Sequence, residues 1–373
     1  MKRIEENCFP IVSVIIPLFN RKRLISETLQ SVINQTYRHW EAVIVDDGST
    51  DGSCELVCSM AYSDPRIRLI KRSRLPEGAN TCRNIGIENA HGTYIIFLDS
   101  DDLLDKNCFS NRISCFGKFP DADFLVFPMY FFDKDSYKII GLWNTENEED
   151  DITRFFKVDA LWGITGPIYR KSSLIAIGGF REPLPFWQDF DLHVRFLLSG
   201  KKYKKFLHSE PDCFIRRQTG DSISSAVPFV ANAGVLKKRI DFFEDIIRYV
   251  IMNKIQLSYK QRYTLWSALH YFNRCLLYEH HNLAWFNEYY ARQKREFKKY
   301  RYYPVINYWY DRLMYSQRRL PVKLLGRICA MMLKSLLLDH NIFSHNSILA
   351  PFAGVPKAAY SKIGKTVIKP VQV

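Results

Sequence analysis

The stretch that decides the fold of this chain is Tyr94-Ile95-Ile96-Phe97-Leu98-Asp99-Ser100-Asp101-Asp102-Leu103-Leu104. Its apolar beginning has no polar interruption, which is typical of a central parallel strand covered on both faces. Carboxylates follow at once, and they repel one another unless a cation or hydrogen-bond donors lie among them. We therefore predict a buried strand that ends in an acidic tip.

The spacing of these carboxylates indicates a divalent cation. While the chain stays extended, Asp99 and Asp101 project to the same side. Such hard oxygen ligands suit Mg²⁺ or Mn²⁺, which take their other ligands from water and phosphates. The predicted metal site is Asp101, assisted by Asp99 or Asp102. The structural alternative is that Asp101 or Asp102 caps a helix running through Leu104.

Length and composition narrow the class of protein. The 373 residues suffice for two or three domains, and 47% hydrophobic with 14% aromatic residues is a globular composition. The net charge of +14 favours an anionic partner: nucleotide phosphates, nucleic acid or an acidic membrane surface. The nine scattered cysteines suggest neither a disulfide framework nor a zinc site, and predict a reducing cytoplasm. We expect no membrane span and no signal peptide.

Strand and helix patterns alternate along the first part of the chain. Strands are predicted at Ile11–Ile16, Trp40–Val45, Ile67–Ile70 and the acidic-tipped stretch, with helices between them. This alternation predicts an α/β fold with a doubly wound, mostly parallel, Rossmann-like sheet. Ligands bind such sheets beyond the carboxyl ends of the strands. The glycine-rich dinucleotide fingerprint is absent.

Three segments, taken in this order, resemble the family 2 glycosyltransferases. They are Val12-Ser13-Val14-Ile15-Ile16-Pro17-Leu18-Phe19-Asn20, Val43-Ile44-Val45-Asp46-Asp47-Gly48-Ser49-Thr50-Asp51 and Phe97-Leu98-Asp99-Ser100-Asp101-Asp102. Arg83-Asn84 is similar to the family's Ala-Arg-Asn segment, with Cys82 in place of Ala. The resemblance implies a GT-A fold, a nucleotide-diphosphate sugar donor and a divalent metal at the Asp-x-Asp.

The resemblance also implies roles for single residues. The implied donor-binding residues are Pro17, Asn20, Asp46, Asp47, Arg83 and Asp99. Asp47 would accept the imide hydrogen of a uracil or thymine ring, although its turn sequence equally fits a surface turn. Arg83 has a guanidinium suited to a base or phosphate, although a solvated helix face is the commoner place for an arginine.

Asp189 is the predicted catalytic base. Its segment is similar to the family's Gly-Gly-Phe and Glu-Asp pattern, with Gln188 where Glu is usual, and the base role belongs to the Asp of that pair. Trp187 and Gln188 are the predicted acceptor contacts. The structural alternative is that Asp189 is only a carboxylate near a helix N-terminus, where the helix dipole stabilises it. Asp191 competes for the base role.

The pattern is less regular in the next part of the chain. Phe124–Phe127 and the glycine-punctuated residues 162–170 are predicted strands. The segment Cys213–Ser224 resembles a family strand but lacks its histidine, so no third metal ligand is predicted there. Arg216 or Arg217 stays available to the diphosphate.

After about residue 228 the chain becomes helical and basic, and the resemblance ends. Three helices are predicted, at Leu236–Ile251, Tyr259–Tyr278 and Leu283–Tyr300. The predicted domains are a catalytic domain at 1–227, with a nucleotide-binding half (11–105) and an acceptor half (106–227), and a helical region at 228–373. Leu320–Leu338 is predicted to lie on an acidic membrane or, alternatively, to be a buried helix.

These patterns predict an inverting glycosyltransferase that uses Mn²⁺ or Mg²⁺. It would move a sugar from a nucleotide-diphosphate sugar, expected to be a UDP-sugar, to a saccharide or lipid-linked acceptor in cell-surface polysaccharide synthesis. It would be cytoplasmic, or peripheral at the inner face of the membrane, and no nucleic acid partner is expected. The alternatives are a sugar nucleotidyltransferase and a non-catalytic sugar-nucleotide-binding or membrane scaffold protein.

Overall fold

The computed structural model describes residues 11–143, 149–217, 232–278 and 280–297. Contacts between residues divide them into two units. The first comprises residues 11–143 and 160–217, and the second comprises residues 149–159 and the described residues from 232 to 297. The predicted domain boundary at 227/228 and the predicted membrane segment Leu320–Leu338 lie outside the described residues.

The first unit contains two β-sheets. Its strands are β1 (Val12–Leu18), β2 (Trp40–Asp46), β3 (Ile67–Lys71), β4 (Tyr94–Phe97), β5 (Leu103–Leu104), β6 (Phe124–Val126), β7 (Met129–Asp133), β8 (Ile139–Trp143), β9 (Pro167–Arg170), β10 (Tyr203–Lys205) and β11 (Cys213–Arg217). The larger sheet has the order β10-β6-β9-β4-β1-β2-β3, and the smaller one has the order β5-β11-β7-β8.

The larger sheet confirms the predicted, mostly parallel α/β arrangement. β1 is parallel to β2 and β4, β2 is parallel to β3, and β6 is parallel to β10. β9 is antiparallel to both of its neighbours, β4 and β6. β1, β2 and β4 are rich in apolar residues and lie largely buried, as strands covered on both faces should.

Helices connect these strands and form most of the second unit. In chain order they are α1 (Ile25–Ile33), α2 (Ser53–Ser63), α3 (Ala79–Asn89), α4 (Cys108–Lys118), α5 (Asp151–Phe156), α6 (Lys171–Ala176), α7 (Gln188–Leu198), α8 (Ala233–Met252), α9 (Tyr259–Tyr278) and α10 (Leu283–Phe297). α5 and α8 to α10 belong to the second unit.

α3 packs closely on the sheet. It packs on β1 and β2, and a methyl group at Gly86 would overlap with the side chain of Ile15. Glycine is therefore the residue that lets this helix approach β1. The approach matters because α3 carries Arg83, one of the predicted donor-binding residues.

The strand order reverses beside β1. From β1 the chain runs outward to β2 and β3, and then returns to β4 on the other side of β1. Crevices beyond the carboxyl ends of strands at such a reversal are where open α/β sheets bind ligands. The acidic residues that follow β4 lie at this place.

The acidic residues adopt a backbone conformation that differs from the predicted one. β4 ends at Phe97, and the backbone N–H of Asp102 donates to the carbonyl of Asp99 at 3.1 Å, so residues 99–102 form a turn rather than an extended segment. The helix-cap alternative is also wrong, because Leu103–Leu104 continues as strand β5, antiparallel to β11. We call residues 99–102 the acidic turn. The strand predicted at 162–170 is likewise shorter, and is confined to β9.

The second unit is helical, as predicted. α9 packs against α8, α10 and α5, and Leu277, Phe286 and Tyr290 form part of its core. Glu244 is buried in this unit and pairs with Arg248 at 2.9 Å and with Arg292 at 2.8 Å. In the described part of the chain, no helix has both the length and the apolar character needed to cross a membrane.

Candidate active site

The acidic turn presents three carboxylates in different surroundings. The side chains of Asp99 and Asp101 are 41% and 29% exposed, respectively, whereas Asp102 is buried. Arg21, which follows β1, brings its Nε to 3.5 Å from Asp101 Oδ2. Asp102 Oδ1 instead accepts a hydrogen bond from the backbone N–H of Arg216 at 2.8 Å. Two carboxylates are thus open to a ligand, and the third secures β11.

Negative charge is concentrated at this turn. Burial, followed by the charge of Asp99, raises the pKa of Asp101. Burial and the charges of Asp101 and Asp99 raise the pKa of Asp102 well above its ordinary value. Arg21 and Arg216 lower the pKa of Asp101, and Arg216 lowers the pKa of Asp102, but neither increase is cancelled. A further cation would therefore be stabilised here.

The donor set fits a hard divalent cation. Among the described residues, no group of three or more His, Cys, Asp and Glu side chains is arranged to hold a metal ion. The chain would therefore contribute Asp101 and Asp99, and water or phosphate oxygens would complete the shell. Mg²⁺ is commonly bound in this way, through one or two carboxylates plus substrate phosphates.

Arg83 joins the acidic turn to α7. Its Nη2 donates to Asp99 Oδ1 at 2.7 Å, and its Nη1 donates to Gln188 Oε1 at 3.2 Å. The Arg83 side chain is only 6% exposed. The alternative of a solvated helix face is therefore wrong for this arginine.

Asp189 lies in the first turn of α7, directly after Gln188. Its Oδ1 accepts a hydrogen bond from the backbone N–H of Phe190 at 2.9 Å. Burial raises the pKa of Asp189, the charge of Asp99 also raises it, and Phe190 and Arg83 oppose the increase. The charges of Arg83 and Asp99 thus both act on Asp189.

Asp191, the rival for the base role, has different contacts. Its side chain is 1% exposed and pairs with Arg195 at 2.7 Å and Arg181 at 3.3 Å. Arg195 in turn donates to the carbonyls of Ile177 and Gly179. Asp191 therefore fastens α7 to the loop that precedes it.

Trp187 and Gln188 stand where α7 begins. Trp187 adopts a left-handed backbone conformation with φ 58° just before the helix, and its ring lies 5.5 Å from that of Phe186 and 5.7 Å from that of Phe190. An aromatic surface therefore lies beside Asp189. Gln188 uses its side-chain oxygen to accept from Arg83.

Several predicted donor-binding residues shape the loops beyond β1 and β2. Asp46 accepts hydrogen bonds from the backbone N–H groups of Gly48 and Ser49, both at 3.1 Å. Asn20 Oδ1 accepts from Thr50 N at 2.9 Å. Pro17 lies within β1, opposite Val45. Asn20 therefore ties the loop after β1 to the loop after β2, and Asp46 shapes the loop after β2.

Asp47 forms an ion pair with Arg72, which sequence reasoning missed. Both side chains are largely buried, with exposed fractions of 13% for Asp47 and 14% for Arg72. The carboxylate is therefore held in place and is not part of a freely solvated turn. Arg72 comes directly after β3, so its position beyond a strand end was the available signal.

Two asparagines of α3 were also missed. Asn84 accepts from the backbone N–H of Phe180 at 2.8 Å and donates to the Phe180 carbonyl at 2.9 Å. Asn80 donates to the carbonyl of Arg181 at 2.9 Å. Together they attach the loop that precedes α7 to α3. The sequence pointed to Asn84 only as part of the Arg83-Asn84 segment, and gave it no role.

Comparison with known proteins agrees with this geometry. The profile of the family described as Glycosyl transferase family 2 matches residues 13–174. Residues 13–174 are a family 2 glycosyltransferase domain. This glycosyltransferase domain contains β1 to β4, the acidic turn and Arg83, and the match ends before Asp189.

Relatives of this glycosyltransferase domain share only part of their length with the chain. The putative teichuronic acid biosynthesis glycosyltransferase TuaG of Bacillus subtilis (strain 168) is 42% identical over 101 residues, which are 27% of this chain and 40% of that protein. The uncharacterized glycosyltransferase RT0329 of Rickettsia typhi (strain ATCC VR-144 / Wilmington) is 30% identical over 200 residues, 52% of this chain and 61% of that protein. The chain thus spans less than two thirds of either relative.

A solved structure shares the fold. S. aureus TarS, residues 1–349, in complex with UDP-GlcNAc, matches with a TM-score of 0.54 and 18% sequence identity, over 71% of this chain and 72% of that chain. The likeness confirms the predicted GT-A fold.

Proposed function

We propose that this chain transfers a sugar, with inversion, from a nucleoside-diphosphate sugar to a hydroxyl of a saccharide or lipid-linked acceptor. The observation that carries the proposal is the position of Arg83, which contacts both Asp99 of the acidic turn and Gln188, the neighbour of Asp189. Groups suited to a diphosphate and a carboxylate suited to a base therefore lie together beyond the strand ends.

The donor would occupy the crevice between the loops after β1, β2 and β4. Asp101 and Asp99 would hold Mg²⁺ or Mn²⁺, which when bound neutralises the charge that develops on the departing diphosphate. Asp47, fixed by Arg72, would accept the imide hydrogen of uracil, so we expect a UDP-sugar. Asn20, Asp46 and Pro17 would shape the walls of this crevice.

Asp189 would act as the general base. It would take the proton of the acceptor hydroxyl while the acceptor oxygen bonds to the anomeric carbon and the bond from that carbon to the diphosphate oxygen breaks. Its raised pKa brings its basicity closer to neutral pH. The aromatic side chain of Trp187 would pack on the acceptor sugar and exclude water.

We place this reaction in the synthesis of a cell-surface polysaccharide, on the cytoplasmic side of the membrane. The proposal is supported by the name of the relative TuaG, which refers to teichuronic acid. The cysteines of the described residues are free thiols, which suits a reducing compartment.

Calorimetry with a panel of nucleotide sugars tests the proposal. Wild-type protein should bind a UDP-sugar with Mn²⁺ and lose most of that affinity in EDTA, and Asp101→Ala should abolish the metal-dependent part. Asp101→Ala protein with wild-type affinity in the presence of Mn²⁺ would remove the metal assignment. Binding without turnover of any donor would instead favour the non-catalytic sugar-nucleotide-binding protein.

A further inference from the structure

A buried arginine of β11, Arg216, holds the acidic turn. Its Nε donates to the backbone carbonyl of Asp101 at 2.7 Å, and its backbone N–H donates to Asp102 Oδ1 at 2.8 Å. The side chain is 2% exposed. Arg216 therefore fixes the backbone of one carboxylate and the side chain of the next, and its guanidinium is not presented to the diphosphate as the sequence suggested.

The other end of the guanidinium is held by two further residues. Nη2 donates to Glu27 Oε2 of α1 at 2.8 Å, and Nη1 lies 3.4 Å from the hydroxyl of Tyr137, in the connection between β7 and β8. The Tyr137 hydroxyl also donates to Glu27 Oε1 at 2.9 Å. Residues from α1, the acidic turn, the smaller sheet and its β7–β8 connection thus meet at one side chain.

Stability alone is a weak reason for such an arrangement. A buried ion pair rarely stabilises a fold more than well-packed apolar residues of the same volume would, because both charges must leave water. The contacts of Arg216 instead fix the orientation of the groups that they join, because charge-assisted hydrogen bonds have strict geometry. The segment oriented in this way is the acidic turn, which carries Asp101.

We propose that Arg216, held by Glu27 and Tyr137, is the positioning residue that keeps Asp101 oriented for the divalent cation. This inference rests on the proposed function, in which Asp101 holds that cation. Arg216 acts through the Asp101 carbonyl and the Asp102 carboxylate, and it contacts neither the cation nor the donor. Residues that orient a metal ligand in this way typically contribute about 10- to 100-fold to metal affinity.

The full-length protein offers a matched control. Arg112 of α4 is also a fully buried arginine in an ion pair, with Asp212 at 2.6 Å, and it also contacts the carbonyls of Thr165 and Pro167 and the sulfur of Cys213. Arg112→Lys and Arg216→Lys should therefore both lower the melting temperature. Only Arg216→Lys should alter the cation site.

Mn²⁺ binding in the presence of UDP, followed by electron paramagnetic resonance of free Mn²⁺, tests the inference. Arg216→Lys should bind Mn²⁺ about 10- to 100-fold more weakly, and Glu27→Gln should weaken binding in the same direction. Arg112→Lys should bind Mn²⁺ like the wild type. Excess Mn²⁺ should restore the turnover of Arg216→Lys. If that variant does not fold, Tyr137→Phe, which removes a single hydroxyl, should still give a several-fold weaker Mn²⁺ affinity.

The outcomes separate this inference from the proposed function. If Arg216→Lys binds Mn²⁺ with wild-type affinity, the positioning role is overturned and the proposed function stands. The same holds for Tyr137→Phe if Arg216→Lys does not fold. An equal loss in Arg112→Lys overturns the positioning role as well, because the effect would then reflect stability alone. A wild-type protein that binds no Mn²⁺ with any nucleotide overturns both.

Discussion

Arg83 donates to Asp99 at 2.7 Å, and the same guanidinium donates to Gln188 at 3.2 Å. One side chain of α3 thus ties the turn that would hold the diphosphate to the helix that carries Asp189. Gln188 is neutral, so of these two partners Asp99 is the one that forms an ion pair with Arg83. The family's usual Glu at that position would divide the same charge between two carboxylates.

Replacing Arg83 should therefore impair both sides of the reaction. Arg83→Lys keeps the charge but cannot make both contacts, and we expect kcat/KM to fall about 10- to 100-fold, since hydrogen bonds to charged groups contribute about 1.5–3 kcal/mol. Steady-state kinetics at saturating Mn²⁺ would measure the loss. Arg66→Lys is the control, because Arg66 pairs with Asp64 near the amino ends of β2 and β3. An Arg83→Lys enzyme as active as this control would show that the link is dispensable.

Asp191→Asn should destabilise the protein and spare the chemistry. The substitution leaves the buried Arg195 without its carboxylate, and breaking a buried pair in this way costs about 3–5 kcal/mol. Urea denaturation should show this loss, while turnover per folded molecule stays near that of the wild type. A folded Asp191→Asn protein without activity, beside an active Asp189→Asn protein, would transfer the base role to Asp191.

The pH dependence should report the surroundings of Asp189. A base must be deprotonated, so kcat/KM should fall as the pH drops through the pKa of Asp189, which burial raises above the ordinary value of an aspartic acid. Because the negative charge of Asp99 also raises this pKa, Asp99→Asn should move the acidic limb to lower pH. A pH–rate profile of the wild-type enzyme and one of Asp99→Asn give the position of the acidic limb in each. A limb that stays at the same pH in Asp99→Asn would argue against the coupling.

Alanine substitutions at Gly86 of α3 and, as a control, at Gly117 of α4 test how closely α3 packs on the sheet. Gly86→Ala should destabilise the protein by about 1–3 kcal/mol, as overpacked cores do, because the added methyl meets Ile15. Ile15→Val in the same chain should recover part of this loss. Gly117→Ala in α4 has open space around it and should stabilise by about 0.5–1 kcal/mol. Equal effects of the two alanines on the free energy of unfolding would contradict the close approach of α3.

The sequence predicts those features of the fold and the site that depend on neighbouring residues. An apolar run that stops at carboxylates predicts β4 and the position of Asp99 and Asp101, because both features lie within a few residues of each other. The alternation of strands and helices likewise predicts the sheet, and the fold comparison confirms it. The roles of Asp189, Asp101 and the donor residues remain predictions until they are tested.

The rest depends on contacts between distant segments. Residues 99–102 form a turn held by Arg216, and the sequence separation between Arg216 and Asp102 is 114 residues. The separation between Asn84 and the Phe180 that it binds is 96 residues. No periodicity or spacing predicts such pairs, since neither partner alone indicates the other. For the same reason, the sequence does not reveal the structural role of Asp191, which depends on its ion pairs with Arg195 and Arg181.

The most direct measurement is the stereochemistry of donor cleavage. Incubated with a UDP-sugar and Mn²⁺, the wild-type protein should slowly transfer the sugar to water, and proton NMR before mutarotation should show the anomer opposite to that of the donor. Asp189→Asn should still bind the donor but turn over about 10²- to 10⁴-fold more slowly, the usual contribution of a general base. A product that retains the donor's configuration, or an Asp189→Asn enzyme as fast as the wild type, would contradict the account.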